Sequence, residues 1–524
     1  MIRRTRGVWW LAAGAACLLW QGQAQAQETT KSLSLDEAVR LALERNLDIK
    51  VERLTPRLFD FTLAGLRATY EPVFTSQIGT QSTVTPSTST IAGAAAASGI
   101  TAGVSTFNGG LTSNLPWGGG GLTVTLNNNR QTSTSRTTLF NPAFNTNYSV
   151  QYTQPLLRGF STDSTRNELR VTRINQQISE LDLEATITNT VSDVRSAYWD
   201  LVYATETIDV AQQSLDLANT LVAENQARVQ VGTLAPLDVV QAQSQAATQR
   251  QALVQARATR DRAELTLKEL IVSGAADANW NATLVPADRP TFVAEPIDIP
   301  ALVQRALGQR TDLATAKKQL EASDVTLSYL KNQLLPQVDL VARYGLVGLG
   351  GTQYLRDGTG ISGDVVSTVP GGYGNSLGTL FGLDYPAWAA AVNVTMPLGR
   401  GAAKAAQAHG RLQLEQAHTQ VMQLELRVAS DITNAGKTAQ SAAEAVDAAQ
   451  VASSLAEQSL DAEQRRFQVG LSTNFNVIQA QRDLSSARNA ELQSVLTYRK
   501  ALVEVDRLSK TSLQTANVTV VTAG

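Results

Sequence analysis

The chain states one plan twice. "VGTLAPLDVVQAQ" (Val231 to Gln243) returns as "VGLSTNFNVIQAQ" (Val469 to Gln481), with Gly232 and Gly470 at an offset of 238 (470 − 232). "QPLLRG" (Gln154 to Gly159) returns as "MPLGRG" (Met396 to Gly401), with Pro155 and Pro397 at an offset of 242 (397 − 155). "AVRLALERNLDI" (Ala38 to Ile49) returns as "LVQRALGQRTDL" (Leu302 to Leu313), and Pro72 is answered by Pro336, both at an offset of 264 (336 − 72). Chance likeness between Ala- and Gln-rich helices does not keep four landmarks in order. Duplication of a whole unit does.

Each copy therefore carries the same elements. A helix over 35–71 ends at Pro72, and its counterpart ends at Pro336. A strand-rich segment follows and ends at Pro155 or Pro397. A very long helix then runs to Gly232 or Gly470, and a return helix as long as the first ends near Leu270 or Leu508. The expected division is a first repeat over 27–272 with strands within about 73–157, a connector over 273–298, a second repeat over 299–510 with strands within about 338–398, and a tail over 511–524. The offset falls by 22 (264 − 242) across the strand segments, so the first is longer by that much. The difference is room for one extra hairpin or a longer surface loop.

Residues 161–231 and 400–470 would each make a helix about 105 Å long. In the second, Val421, Leu424, Val428, Ile432, Ala435, Ala439, Ala442, Val446, Ala449, Ser453, Ala456 and Leu460 step by threes and fours. Ile208, Ala211, Leu215, Ala218 and Val222 form the same seam in the first. That period implies left-handed supercoiling, with small residues letting backbones approach. Residues 35–71 and 236–272 laid end to end match one long helix, so one strand of each coil is continuous and the other is pieced.

The strand segments alternate. Leu122, Val124, Leu126; Tyr148, Val150, Tyr152; Val338, Leu340, Ala342, Tyr344; and Trp388, Ala390, Val392, Val394, Met396 each put apolar side chains on one face, with mostly polar residues between. Tyr and Trp lie on the apolar face, as at a membrane interface. A soluble sandwich would alternate too, but each segment is short and bounded by long helices, so one copy cannot close a sandwich or barrel alone. The Gly-, Ser- and Thr-rich stretches Ser87 to Ser105 and Gly350 to Gly382 read as loops or strand extensions.

Residues 1–26 read as a secretory signal: Arg3, Arg4 and Arg6, an apolar run from Val8 to Trp20, and "AQA" before Gln27. The rival is a lipoprotein signal ending at Cys17, the chain's single cysteine. Cleavage after Ala26 would take the formal charge from −2 to about −5 and leave no disulfide chemistry. No basic cluster suggests nucleic acid. His409 and His418 stand nine positions apart and would face opposite sides of a helix, and no nucleophile motif or phosphate loop appears. The expectation is a protein that is not an enzyme and holds no cofactor or metal.

Taken together, the two Val-Gly turns, the "QPLLRG" and "MPLGRG" joints and the duplicated order resemble the TolC-like outer-membrane efflux family from about Leu33 to Leu508. The resemblance implies a mainly α fold with a transmembrane β-barrel part. Long coiled-coil hairpins of three protomers would form an α-barrel tunnel across the periplasm, joined to a barrel in the outer membrane. It implies a homotrimer working with a periplasmic adaptor and an inner-membrane pump, as an exit duct for efflux or type I secretion. It suggests four strands per protomer; the extra length of the first strand segment leaves four or six open.

Carried onto this chain, the resemblance places adaptor contacts at Val231, Gly232, Thr233, Leu234, Val469, Gly470, Leu471 and Ser472. It places the tunnel's closing ring at Asp238 and Gln241, Asn476 and Gln479, and strand-to-helix joints at Pro155, Arg158, Gly159, Pro397, Arg400 and Gly401. Of the ring positions only Asp238 is acidic, and an acid in a first helical turn is also favoured by the helix dipole. The competing reading is a secreted structural or adhesive coiled-coil stalk, which would gather its strands at the C-terminus instead of inserting them between helices.

Overall fold

The computed structural model describes residues 30–87, 99–289, 292–357 and 363–511. The expected signal with Cys17, and the tail beyond Thr511, lie outside them. In chain order the elements are β1 (Thr30–Leu33), α1 (Leu35–Arg45), α2 (Leu47–Glu52), α3 (Thr55–Ala68), β2 (Val73–Pro86), β3 (Gly99–Asn114), β4 (Gly121–Ser133), β5 (Phe140–Pro155), α4 (Ser164–Gln230), α5 (Pro236–Ile271), β6 (Thr283–Pro286), α6 (Ile299–Gln309), α7 (Thr311–Asn332), β7 (Gln337–Arg356), β8 (Val365–Val369), α8 (Tyr373–Phe381), β9 (Pro386–Thr395), α9 (Gly401–Gln468) and α10 (Asn474–Leu508). The fold is mainly helical with one large antiparallel sheet, and the two longest helices, α4 and α9, end just before Gly232 and Gly470.

The first helix of each copy is not the single run that the sequence led us to expect. It breaks at Asn46 in the first copy and at Arg310 in the second, again at the offset of 264 (310 − 46). Both residues are extended, with ψ near 133° and 132°. The Asn46 amide donates to Leu270 O at 3.1 Å, and Arg310 turns its guanidinium onto Asp312. Side-chain bonds of this kind compete with continued helix. Pro56, in the first turn of α3, adds a further break in the first copy.

The described residues fall into two compact units. One gathers those of Met1–Asn46, Val194–Phe292 and Ala449–Leu496. Here β1 pairs in parallel with β6, and Leu33, Leu267, Ile271 and Leu284 are fully buried. Tyr198 stands beneath that pair, its hydroxyl 3.1 Å from Leu33 O and 2.6 Å from Asp288 Oδ2. Burial first, then the Asp288 carboxylate, raises its pKa well above the usual tyrosine range. Further along, Ala211 and Leu215 of α4 pack on Leu253 and Ala256 of α5. Leu221, Ala242, Leu460, Phe467, Val477, Ile478 and Leu484 then join both helical hairpins in one core.

The other unit gathers the described residues of Leu47–Asp193, Val293–Ala448 and Thr497–Gly524. Its helices bury the seam residues Val428, Ile432 and Ala439 against Ala306, Leu508, Ala501 and Val505. Its sheet runs β2-β3-β4-β5-β7, all antiparallel, and the next position holds two strands in series: β9 pairs with Gln337–Leu346 of β7 and β8 with Gln353–Arg356. So among the described residues the sheet has six strand positions, four from the first copy and two from the second. The first copy thus makes two hairpins where the second makes one; the second uses chain for β8 and α8 instead, so the two segments differ in length by less than a whole hairpin.

Between β8 and β9 the chain leaves the sheet as α8, a helix inside the stretch expected to hold loops or strand extensions. The exposed β7 edge is met there by the Thr379 hydroxyl, 3.1 Å from Leu349 N, and by Tyr385 O, 3.2 Å from Val347 N. The Gly-rich run around α8 hides it from a propensity reading, since Gly disfavours helix by about 1 kcal/mol.

Candidate functional sites: the sheet faces and the hairpin ends

The register fixes which side chains share a face. Leu111, Val124, Val150, Tyr344 and Trp388 form one cross-strand row. Leu126, Tyr148 and Leu346 form the next, and Tyr152, Ala342 and Ala390 the one on the other side. Phe74 and Ile78 of β2 lie opposite Leu111 and Phe107 on the same face. All four alternating patterns read in the sequence thus converge on one apolar surface that crosses six strands. The opposite face carries Gln77, Asn108, Thr123, Asn127, Gln151, Arg343 and Asn393. No helix among the described residues is long and apolar enough to cross a membrane. The sheet instead offers a surface with one lipid-compatible and one water-compatible side. Its outermost strands, β2 and β9, are exposed along every residue.

The joints differ between copies. Pro155 ends β5; Arg158 Nη2 donates to Gln337 Oε1, and Gly159, with φ +87°, donates its N–H to Asn332 Oδ1 at 2.9 Å. Pro397 follows β9. Arg400 takes φ +41° and its guanidinium donates to Met396 Sδ at 3.1 Å, and Gly401 opens α9 with nothing within 4 Å of its side. Leu398 is 98 % exposed. The second joint stands bare at the same edge as β9.

At the hairpin ends Gly232 and Gly470 take φ +77° and +79°. Thr233 N reaches back to Arg228 O at 2.9 Å and Leu471 N to Arg466 O at 2.8 Å, so both long helices end in the left-handed glycine motif. Pro236 opens α5, and Thr473 caps α10, its hydroxyl 3.4 Å from Asn476 N. Val231, Val469 and Leu471 are exposed, Leu234 is drawn onto the core, and Ser472 donates to Glu463 at 2.6 Å.

The four ring candidates do not form one cluster. Asp238 lies in the first turn of α5, its backbone oxygen accepting from Asn474 Nδ2 at 3.1 Å. Gln241 reaches the same amide at 3.5 Å. Asn476 instead bonds Ser472, and Gln479 bonds Asp483 at 2.8 Å on its own helix.

Two pairs at this end were not read from the sequence. Asn225 and Asn474, both almost fully buried, share a 2.8 Å amide bond. The Arg228 guanidinium lies 4.4 Å from the Phe467 ring centroid and donates to Phe467 O at 3.0 Å. The repeat held a signal for the first: Asn474 stands where the first copy has Pro236, so it marks a departure inside an otherwise matched turn.

A family model described as outer membrane efflux protein matches residues 121–272 and 302–509. No curated protein matches the chain. Among solved structures it is similar to the outer-membrane channel OprN, at 17% identity and TM-score 0.63, covering 91% of this chain and 89% of that one. The CmeC outer membrane channel of Campylobacter jejuni matches at 16% identity and TM-score 0.61, covering 98% of both chains. The outer membrane protein VceC of Vibrio cholerae matches at 15% identity and TM-score 0.61, covering 91% of this chain and 95% of that one.

Proposed function

The chain belongs to the outer membrane efflux protein family, and from that premise we propose that it is the passive exit duct of a tripartite efflux or type I secretion system. Channels of this family sit in the outer membrane, are trimeric, and work with adaptors and inner-membrane pumps. The observation that carries the reading is the six-position sheet with one continuous apolar face and bare outer strands. In the trimer, β2 of one copy would pair with β9 of the next, the apolar face meeting lipid and the polar face lining the lumen. Six positions in each of three copies would make an eighteen-stranded barrel, wider than four per copy would give.

Val231, Gly232, Thr233 and Leu234, with Val469, Gly470, Leu471 and Ser472, are the proposed adaptor contacts, and their exposed apolar tips support that role. Asp238 and Gln241, with Asn476 and Gln479, are the proposed gate. Pro155, Arg158 and Gly159, with Pro397, Arg400 and Gly401, are the proposed strand-to-helix joints. Work for transport would come from the pump.

The test is single-channel recording of the purified protein in a planar bilayer, beside Asp238→Asn. Small stable channels with a cation preference that drops in the variant are expected. Channels indifferent to the substitution would remove Asp238 from the gate and keep the duct. Folded trimer that never conducts would return the chain to the stalk reading.

A further inference from the structure

Along β4 the apolar face runs Leu122, Val124, Leu126 and then changes to Asn128, Arg130 and Thr132. Arg130 lies directly opposite Phe144 of β5, and Phe107 of β3 lies opposite Asn128. So a cation with an aromatic neighbour stands on the face that the preceding section turns toward lipid, just past the last aliphatic residue of its strand. Among the described residues its guanidinium has no hydrogen-bond or ion-pair partner. A bare cation on such a face persists only at the boundary of the hydrocarbon or beside an anion.

α8 builds the rest of the site. It lies across the same face, because Gly348 and Gly350 leave it room: a Cβ on Gly348 would run into Ser376 O. The Ser376 hydroxyl donates to Thr146 Oγ1 at 2.8 Å, and the Tyr373 hydroxyl donates to Asn128 Oδ1 at 2.9 Å. Asn128 is only 8 % exposed, and its amide also donates to Phe107 O at 3.0 Å. The Tyr373 ring stands 6.2 Å from Phe144 at a tilt of 59°. Together Phe107, Asn128, Asn129, Arg130, Phe144 and Tyr373 enclose a cavity of about 200 Å³. The positive end of α8 begins at this cavity, and among the described residues no acidic side chain lines it.

Gly121 pairs with Thr153 beside the Pro155 joint, so Arg130 and Phe144 lie toward the end of the sheet away from the helices. We propose that this cavity binds the phosphorylated headgroup of an outer-leaflet lipid, with Arg130 as the anion's partner and Phe107 and Phe144 against the first part of its chains. The cavity is smaller than the roughly 300–1,000 Å³ that takes a whole small molecule, so it holds part of a ligand whose remainder lies elsewhere. The apolar rows through Leu126, Tyr148 and Leu111 continue the same face of the same strands and supply that elsewhere. A free phosphate would leave the aromatic walls unused. The assignment rests on the apolar face being the lipid face.

The test is native mass spectrometry of the full trimer with bisphosphorylated lipid A, with phosphatidylethanolamine and millimolar inorganic phosphate as competitors. Loss of the guanidinium removes a charge-assisted bond, so Arg130→Ala should bind lipid A about tenfold more weakly, and Arg130→Lys should recover most of it. Equal binding by Arg130→Ala, displacement by inorganic phosphate, or equal occupancy by phosphatidylethanolamine would overturn the proposal. Quenching of Trp388 by chain-brominated lipid, read as the difference from Trp388→Phe, checks the premise separately. Quenching without an Arg130 effect sinks only this site, and absence of quenching sinks the lipid-face assignment itself.

Discussion

Asn225 of α4 donates its amide to Asn474 Oδ1 at 2.8 Å, and Asn474 passes its own amide to Asp238 O at 3.1 Å. Three helix ends, two from the first copy and one from the second, are thereby held by one buried pair of side chains. Asn225 is 0 % exposed, so water cannot replace a lost partner, and its other acceptor, Asp238 O, stands at the long distance of 3.4 Å. Burying an unsatisfied amide costs about 1–3 kcal/mol. Asn474→Ala should therefore raise amide hydrogen exchange at the ends of α4 and α5. The double variant with Asn225→Ala should lose less than the sum of the two singles, by ~0.5 kcal/mol or more. Additive losses would show that the pair does not act as a unit.

The two turn glycines should matter through the backbone alone. Nothing lies within 4 Å of a Cβ built on Gly232 or Gly470, yet they take φ +77° and +79°. A left-handed L-residue costs roughly 1–2 kcal/mol, and Asn costs less than Ala. Gly470→Ala should speed exchange in the last turn of α9, and Gly470→Asn should sit between it and the parent. A larger effect for Asn than for Ala would mean that the position is limited by contacts and not by φ.

The same contrast shows what the sequence carried. Repetition and period exposed the long helices, both turns and all four alternating strands, because each rests on a rule that is local or nearly so: a glycine past a helix end, an alternation of period two, a seam of small residues. The added hairpin was visible only as a length difference, since strand count depends on which segments pair. α8 was invisible for a different reason. Its glycines argue against helix locally, and it stands because Gly348 and Gly350, well upstream on β7, make room for it. The Asn225–Asn474 bond is likewise a product of two distant segments meeting. The gate candidates come from the resemblance alone, and the chain's own geometry ties only Asp238 and Gln241 to that meeting point.

Acid should loosen one unit through Asp277. Its side chain is 4 % exposed and accepts from Asn279 N at 3.0 Å, Ser273 N at 3.2 Å and Arg45 Nη1 at 2.9 Å. The Asn279 N–H is the largest cause holding its pKa far below the usual carboxylate value; burial opposes and is outweighed. A depressed folded pKa stabilises above the unfolded value, near 4, and that contribution fades as pH falls below it. Exchange protection over 30–46 and 273–289 should be flat from pH 7 to about 5 and fall toward pH 3. Asp277→Asn should be weaker at pH 7 and nearly flat below. An unchanged acid profile in that variant would assign the acid response to other carboxylates.

Gly348 should fail for the opposite reason to Gly470. Its backbone is unstrained, but an added Cβ would run into Ser376 O and stand 3.1 Å from Leu380 Cβ, and neither is the far end of a flexible side chain. Either β7 bends or α8 lifts. β7 is held on one side by its whole run of bonds to β5 and below by β9, whereas α8 is held by its packing and a few hydroxyl bonds. The weaker side yields, so Gly348→Val should free α8 and leave the sheet paired. The expected result is loss of exchange protection across 373–381 with protection of β5 and β7 retained, and a trimer that still conducts. Loss of protection throughout the sheet would show instead that α8 is required for strands on either side of it to stay in register.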